Sequence, residues 1–426
     1  MKKIGWNQSA WCTIIGGFII MSLMHSMTKT CFSLYMIPVT EELGTSRMSY
    51  SLCTGIFSVV IAILSPYAGR LLSKYETMKW FFPISVAGMS IAYSSFGLAK
   101  NIYQMYFASL ILGIFNTGAV IMPISIILVK CCDNYIGLAI GIAFAGSGIG
   151  GALTTPILTR GIEHYGWHAA FFAVGVIMLI IEVPVSVLMC RAVKKREREL
   201  VQIEKDNESA KSLYIDKGIP LKKLKKHTFF YIYLLGMLTC LFIASGGHSH
   251  LAPYMSETYG LVFSNAIASF FLMMLTPAKV ILSWLYDRLD MMITNIGMLV
   301  SFAVAYLLLE INAGWGMMWI MAIFFSIGVS SGSIVPSIVT VKLFGKEYYG
   351  EVFGYVYRFC MLGSVLGSPV LAWIYDATGT YHLAWMTCFM LCLLTAVCLC
   401  YAEVSFIQLK KDHSLEQILK EKMLKK

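Results

Sequence analysis

The chain has 426 residues, 58% of them hydrophobic and only 13% charged, with a mean hydropathy of +0.72. A water-soluble domain of this size carries about twice that charged fraction, so the composition excludes a soluble enzyme and requires a membrane protein with many spans. The net charge of +10 is unevenly placed, and its distribution sets topology rather than marking nucleic acid as a partner.

Twelve apolar segments follow one another, at about 10–38, 48–72, 79–99, 102–129, 135–159, 167–190, 229–255, 262–287, 291–311, 315–343, 348–374 and 383–406. They predict an all-α membrane protein of 12 transmembrane helices. Lys2 and Lys3 precede a full-length span without a small-residue cleavage site, so the start of the chain reads as the first span and not as a cleavable signal. A charged stretch, 191–228, divides the spans into two sets of six. The predicted organisation is a first half at 1–190, a linker at 191–228, a second half at 229–407 and a basic tail at 408–426.

Of the 33 lysines and arginines, 27 fall on the side that carries the termini and linker, among them Arg70, Lys130, Arg288 and Lys346. Arg47, Lys100 and Arg160 are on the other side. The positive-inside rule makes both termini cytoplasmic, in a protein of the cell membrane. Lys29, Lys279 and Arg358 remain, all inside spans. The twelve cysteines show no CxxC pair and no metal-ligand spacing, which predicts buried reduced thiols and neither metal nor cofactor.

The halves resemble each other. GRLLSKY (Gly69 to Tyr75) ends the second span and SWLYDRL (Ser283 to Leu289) ends the eighth, an offset of 214. Gly146-Ser147-Gly148-Ile149-Gly150 on the fifth span returns as Gly363-Ser364-Val365-Leu366-Gly367 on the eleventh, an offset of 217. Two matches near half the chain length predict duplicated, pseudo-symmetric six-helix halves, the architecture of secondary transporters.

The three intramembrane cations lie on polar stripes at helical spacing. These are His25-Lys29-Ser33 on the first span, Thr276-Lys279-Ser283 on the eighth and Glu351-Tyr355-Arg358 on the eleventh. Such stripes line a wet cavity or bond to neighbouring helices; for Ser33, Thr276 and Ser283 alone the second reading is the simpler one. A cation at bilayer depth costs about 3 kcal/mol to insert, so an idle one is expensive. The only mid-span acid is Glu182 on the sixth span. An excess of buried positive charge predicts an anionic substrate, a carboxylate with one or two acid groups. Arg358 would grip it in bidentate fashion, and Lys279 would act as a movable point charge. Asn116, in GIFNTGAV, is a candidate neutral contact, and Tyr355 and Thr276 complete the predicted site.

FSLYMIPVTEELGTSR (Phe32 to Arg47), GLAIGIAFAGSGIGGAL (Gly137 to Leu153), YGWHAAF (Tyr165 to Phe171) and YDATGTY (Tyr375 to Tyr381) resemble the major facilitator superfamily, and within it the monocarboxylate transporter and oxalate–formate exchanger branch. The resemblance implies the fold of that superfamily, a functional unit of one chain, and alternating access for a small organic anion such as formate, oxalate, lactate or pyruvate. It places Lys279 where the branch has an essential arginine, Arg358 close to a lysine of oxalate exchangers, and Lys29 within about a residue of a lysine used by lactate carriers. It also puts Glu182 on a peripheral helix away from the cavity. Arg70, Glu351, Asp287 and Arg288 are implied gate residues. Where proton-coupled members have an aspartate this chain has Leu275, which favours anion exchange over proton symport. His25 and His250 are the candidate proton-coupling groups, each with the plainer alternative of a structural histidine. The branch has an acid near Ser73 and arginines at the start of the fifth span, where this chain has Asp133-Asn134-Tyr135. Efflux of a larger amphipathic compound is the alternative within transport. A non-transporting sensor or a membrane enzyme lacks its marks here: no output domain and no catalytic motif.

Overall fold

The structure, a computed structural model, describes residues 6–206, 218–311 and 314–424, and every regular element among them is helical. Ten helices are long and apolar enough to cross a membrane. One of these, Ile136–Asp206, is two spans that meet at Gly166, whose φ of 77° is a left-handed value suited to glycine. With Tyr75–Phe96 added, the count reaches the predicted twelve.

The first span, α1, is composite. It runs Gln8–Ile20, a π turn Met21–His25, Ser26–Lys29, a 3-10 turn Cys31–Tyr35 and Met36–Glu42. Next come α2 (Arg47–Ser73) and α3 (Tyr75–Phe96), then α4, which is Ile102–Ala119 and Ile121–Cys131 broken at Val120. The helices on either side of Gly166 are α5 (136–165) and α6 (167–206). The second half is α7 (Thr228–Tyr259), α8 (Leu261–Arg288), α9 (Met291–Glu310), α10 (Trp315–Phe344), α11 (Tyr349–Thr378) and α12 (His382–Leu424).

The charged stretch after residue 190 begins as a continuation of α6 as far as Asp206. Arg196 is the reason it stays docked: this buried guanidinium pairs with Asp133 and, at 3.2 Å, with Glu199. Asp133, which stands where the branch has arginines, thus meets a cation supplied from α6. The part of the predicted linker at 207–217 lies outside the described residues.

The repeated glycine motifs do the same work in each half. A Cβ at Gly146 or Gly150 of α5 would collide with the Phe18 or Ser22 carbonyl of α1. One at Gly363 or Gly367 of α11 would collide with the Leu238 or Phe242 carbonyl of α7. Small residues let the helix backbones touch where lipid supplies no hydrophobic drive between them. YGWHAAF anchors the far end of α1. Trp167 Nε1 donates to Glu42 Oε2 at 2.7 Å, and His168 bridges Glu42 Oε1 (3.0 Å) and the Gly97 carbonyl (2.7 Å). The hydrogen bonds from His168 and then Trp167 hold the Glu42 carboxyl below its ordinary range.

Candidate functional site

The halves meet along two seams, α2 with α11 and α5 with α8, and each seam carries one of the intramembrane cations. In the second seam, Lys279 is buried, with 5% of its surface exposed. Its Nζ donates to Ser147 Oγ at 2.6 Å and to the Phe144 carbonyl at 3.4 Å, both on α5. In the first, the half-buried Arg358 reaches α2: Nε donates to the Ala62 carbonyl at 3.1 Å and Nη2 to that of Ile63 at 3.0 Å. Pro66 explains why Ala62 accepts. Lacking an N–H, the proline leaves the carbonyl four residues earlier without its helical donor.

Lys29 is exposed, its Nζ lying 4.9 Å from the Phe57 ring centre on α2. His25 lies within electrostatic reach of both Lys29 and Lys279, and His248 within reach of Lys279. Side chains from α1, α7 and α8 therefore face a common region. Among the described residues, no carboxylate lies within ion-pair distance of Lys29, Lys279 or Arg358. The hydrogen-bond partners of Lys279 and Arg358 are a hydroxyl and neutral carbonyls, and Lys29 meets the Phe57 ring, so none of these contacts offsets their charge.

The other expected residues divide by position. Thr276 sits in the α5–α8 seam, its hydroxyl where a Cβ on Gly148 would have to go. Asn116 turns to α3, its amide donating to Met89 Sδ at 3.4 Å. Tyr355 packs against Phe230 at the base of α7, with Lys225 Nζ 4.1 Å from its ring centre. His250 is held by the Ser368 carbonyl (2.9 Å) and Tyr381 Oη (3.4 Å), the arrangement of a structural histidine.

The four residues expected to form a gate gather at the basic end, which also carries the linker and tail. Arg70 pairs with Glu351 at 3.5 Å across the first seam. Asp287 does not pair with Arg288. Its two oxygens accept from the Gly137 (3.0 Å) and Leu138 (2.7 Å) N–H groups at the start of α5, which have no acceptor within their own helix. The helix is thereby capped by a residue of the other half. Arg288 lies 5.5 Å from the Tyr135 ring. Lys346 Nζ to the Cys132 carbonyl (3.1 Å) and Ser125 to Ser337 (2.9 Å) add further bonds between the halves.

Two contacts have no precedent in the sequence reading. Ser147 is the partner of Lys279; its place in the repeated Gly-Ser-Gly motif was the available signal. Glu182, expected on a peripheral helix away from the cavity, packs against α1. It is fully buried, and its Oε1 accepts the Met24 N–H at 3.0 Å inside the π turn, beside His25, while Oε2 has no partner. The wide turn is the cause, since it leaves an N–H of α1 without its usual acceptor, and nothing in the residue pattern announces a π turn.

Comparison with known proteins agrees with this fold. Among curated relatives, the chain is 27% identical over 391 residues to a multidrug resistance protein MdtG of Escherichia fergusonii, covering 85% of this chain and 87% of that one. It is 23% identical over 408 residues to monocarboxylate transporter 12-B of Danio rerio, covering 88% and 83%. Its fold matches the transporter FucP in the outward conformation, with a TM-score of 0.68 and 12% identity over 93% of this chain and 99% of that one. It matches the human organic anion transporter MFSD10 with a TM-score of 0.66 and 13% identity over 92% and 98%. The family model of the Major Facilitator Superfamily covers residues 18–341, more than half of the sequence, and with twelve spans in two like halves the chain belongs to that superfamily of membrane transporters.

Proposed function

We propose that this transporter carries a small organic anion, a mono- or dicarboxylate, by alternating access. One observation carries the reading: three intramembrane cations have only neutral partners. A charge-assisted bond to a carbonyl or hydroxyl is weaker than one to a carboxylate, so an entering carboxylate gains by displacing those partners. Because Lys279 and Arg358 bind across the two seams, the same displacement would loosen the halves from each other and couple occupancy to rocking. The positive-inside rule puts the basic end on the cytoplasmic side of the membrane, with one chain as the working unit. The contacts between the halves at that end then form the cytoplasmic closure. The names of two matched proteins, a monocarboxylate transporter and an organic anion transporter, support this reading.

A second reading, efflux of a larger amphipathic compound, is supported by the multidrug resistance relatives. Uptake of labelled formate, oxalate, lactate and pyruvate into proteoliposomes tests the proposal. Arms with internal counter-anion or a pH step separate exchange from proton symport. Saturable uptake of a carboxylate is expected; inert carboxylates together with transport of a lipophilic dye would favour the second reading.

A further inference from the structure

At the end of the second half away from the basic end, a pocket of about 260 Å³ opens between α7, α9, α11 and α12. Its charge is opposite to that of the intramembrane cations. Glu257 and Glu310 line it with Tyr254, Tyr375, Tyr381 and Trp385. Both acids stand in the last turns of their helices, α7 and α9, and α11 also ends there, at Thr378. A helix C-terminus carries partial negative charge, so carboxylates in this position are opposed by their own helices. Three such ends and two acids meet in a chain whose net charge is +10. Among the described residues, neither acid pairs with lysine or arginine. Glu257 accepts from Tyr375 Oη at 3.1 Å, and Glu310 Oε1 meets His382 Nδ1. Even a charged His382 leaves one negative charge over.

The second observation is the state of Glu310. Its side chain is 7% exposed, and Oε2 is buried without a hydrogen-bond partner. A buried carboxylate oxygen of this kind calls for a donor. The rings identify its type. Tyr375 and Tyr381 have centres 4.4 Å apart, and Tyr254 and Trp385 lie 5.5 Å apart beside them. Aromatic walls next to carboxylates suit an organic cation, whose apolar part packs on the rings while its charge is attracted to their faces. Among the described residues, no group of three or more His, Cys, Asp or Glu side chains is placed to hold a metal ion.

We propose that this pocket binds a protonated alkylamine, with its ammonium between the Glu257 and Glu310 carboxylates and its alkyl chain lying on the tyrosines. The site is separate from the one carrying Lys279, and its test does not depend on transport. Full-length protein in detergent micelles would be titrated with propylammonium, and in parallel with tetramethylammonium and Mg²⁺, by ligand-observed NMR. Propylammonium should bind saturably and about tenfold more tightly than tetramethylammonium, which has a charge but no N–H. Glu310→Gln and the exposed Glu257→Gln should each weaken propylammonium binding by about tenfold, while Lys279→Gln leaves it unchanged. Glu257→Gln decides the matter if Glu310→Gln fails to fold. Equal binding of the two ammonium ions, displacement by equimolar Mg²⁺, or full binding in Glu257→Gln would overturn the proposal.

Discussion

The two seams are copies that have diverged, and the difference lies in how each closes at the basic end. In the first seam, Gly69 of α2 abuts Gly350 and Gly354 of α11. In the second, Ser283 of α8 abuts Gly137 and Gly141 of α5. The matching positions, Gly69 with Ser283 and Gly137 with Gly350, differ by 214 and 213. The counterpart of Asp287 is therefore Ser73. Asp287 caps α5 with both oxygens, whereas the Ser73 hydroxyl donates back to the Gly69 carbonyl of its own helix. What the first seam has instead is Arg70–Glu351, whose side chains are 60% and 32% exposed. An exposed pair of that kind is worth about 0–1 kcal/mol, and a helix cap about 0.5–2 kcal/mol. Backbone contact closes both seams, but only one adds a strong polar latch. The α2–α11 side is thus the weaker closure.

The largest effect belongs to the cations. Lys279→Gln or Arg358→Gln, one in each seam, should cut carboxylate uptake by at least about tenfold, because each removes a charge-assisted contact to the anion. Transport unchanged in either variant would remove that residue from the site. Next comes Gly69→Ala, which drives a methyl group into the Gly350 carbonyl. Overpacking of this sort costs about 1–3 kcal/mol and should appear as a lower melting temperature. Asp287→Ala should cost about 1 kcal/mol, and Glu351→Gln less than that. Labelling of Cys132 reads the difference: burial raises its thiol pKa to about 12, and opening of the α5–α8 end should speed its modification in Asp287→Ala. Equal rates in the two variants would break the comparison. Ser73→Asp should sharpen it, restoring an acid beside the start of α11 and raising stability by about 1 kcal/mol.

The smallest effect is a control outside both seams. Glu42 has its folded pKa lowered from an ordinary 4.5, so the stability it contributes is present above that value and is lost as pH falls through the folded one. The melting temperature of Glu42→Gln should therefore match the parent's more closely below about pH 4 than at pH 7. A constant difference across that range would show that His168 and Trp167 gain nothing from the carboxylate charge.

The duplicated scaffold was legible because glycines that allow helix contact recur at a fixed offset, and a period survives in the residues themselves. Lys279 and Arg358 were legible because a cation in an apolar span is costly wherever it points. Their partners were not. A backbone carbonyl has no letter in the sequence, and Ala62 becomes an acceptor only through Pro66 four residues on. Asp287 stood out as an acid beside a base at the end of a span, but its partners are N–H groups of a helix about 150 residues distant in the chain. Tyr355 shares a helix face with Glu351 and Arg358, yet which neighbour a face meets is decided by packing between helices.

The π turn of α1 has a consequence for comparing this chain with its relatives. A π turn is an ordinary helix that has absorbed one extra residue, and the side chains beyond it keep the bearing they would have had without the insertion. A relative lacking that residue would aim its equivalent of Lys29 in the same direction from a position one out of step. Column-by-column alignment would score the two as mismatched while in space they coincide. Deleting one residue within Met21–His25 should accordingly be tolerated, while the same deletion a turn later would swing Lys29 by about 100°.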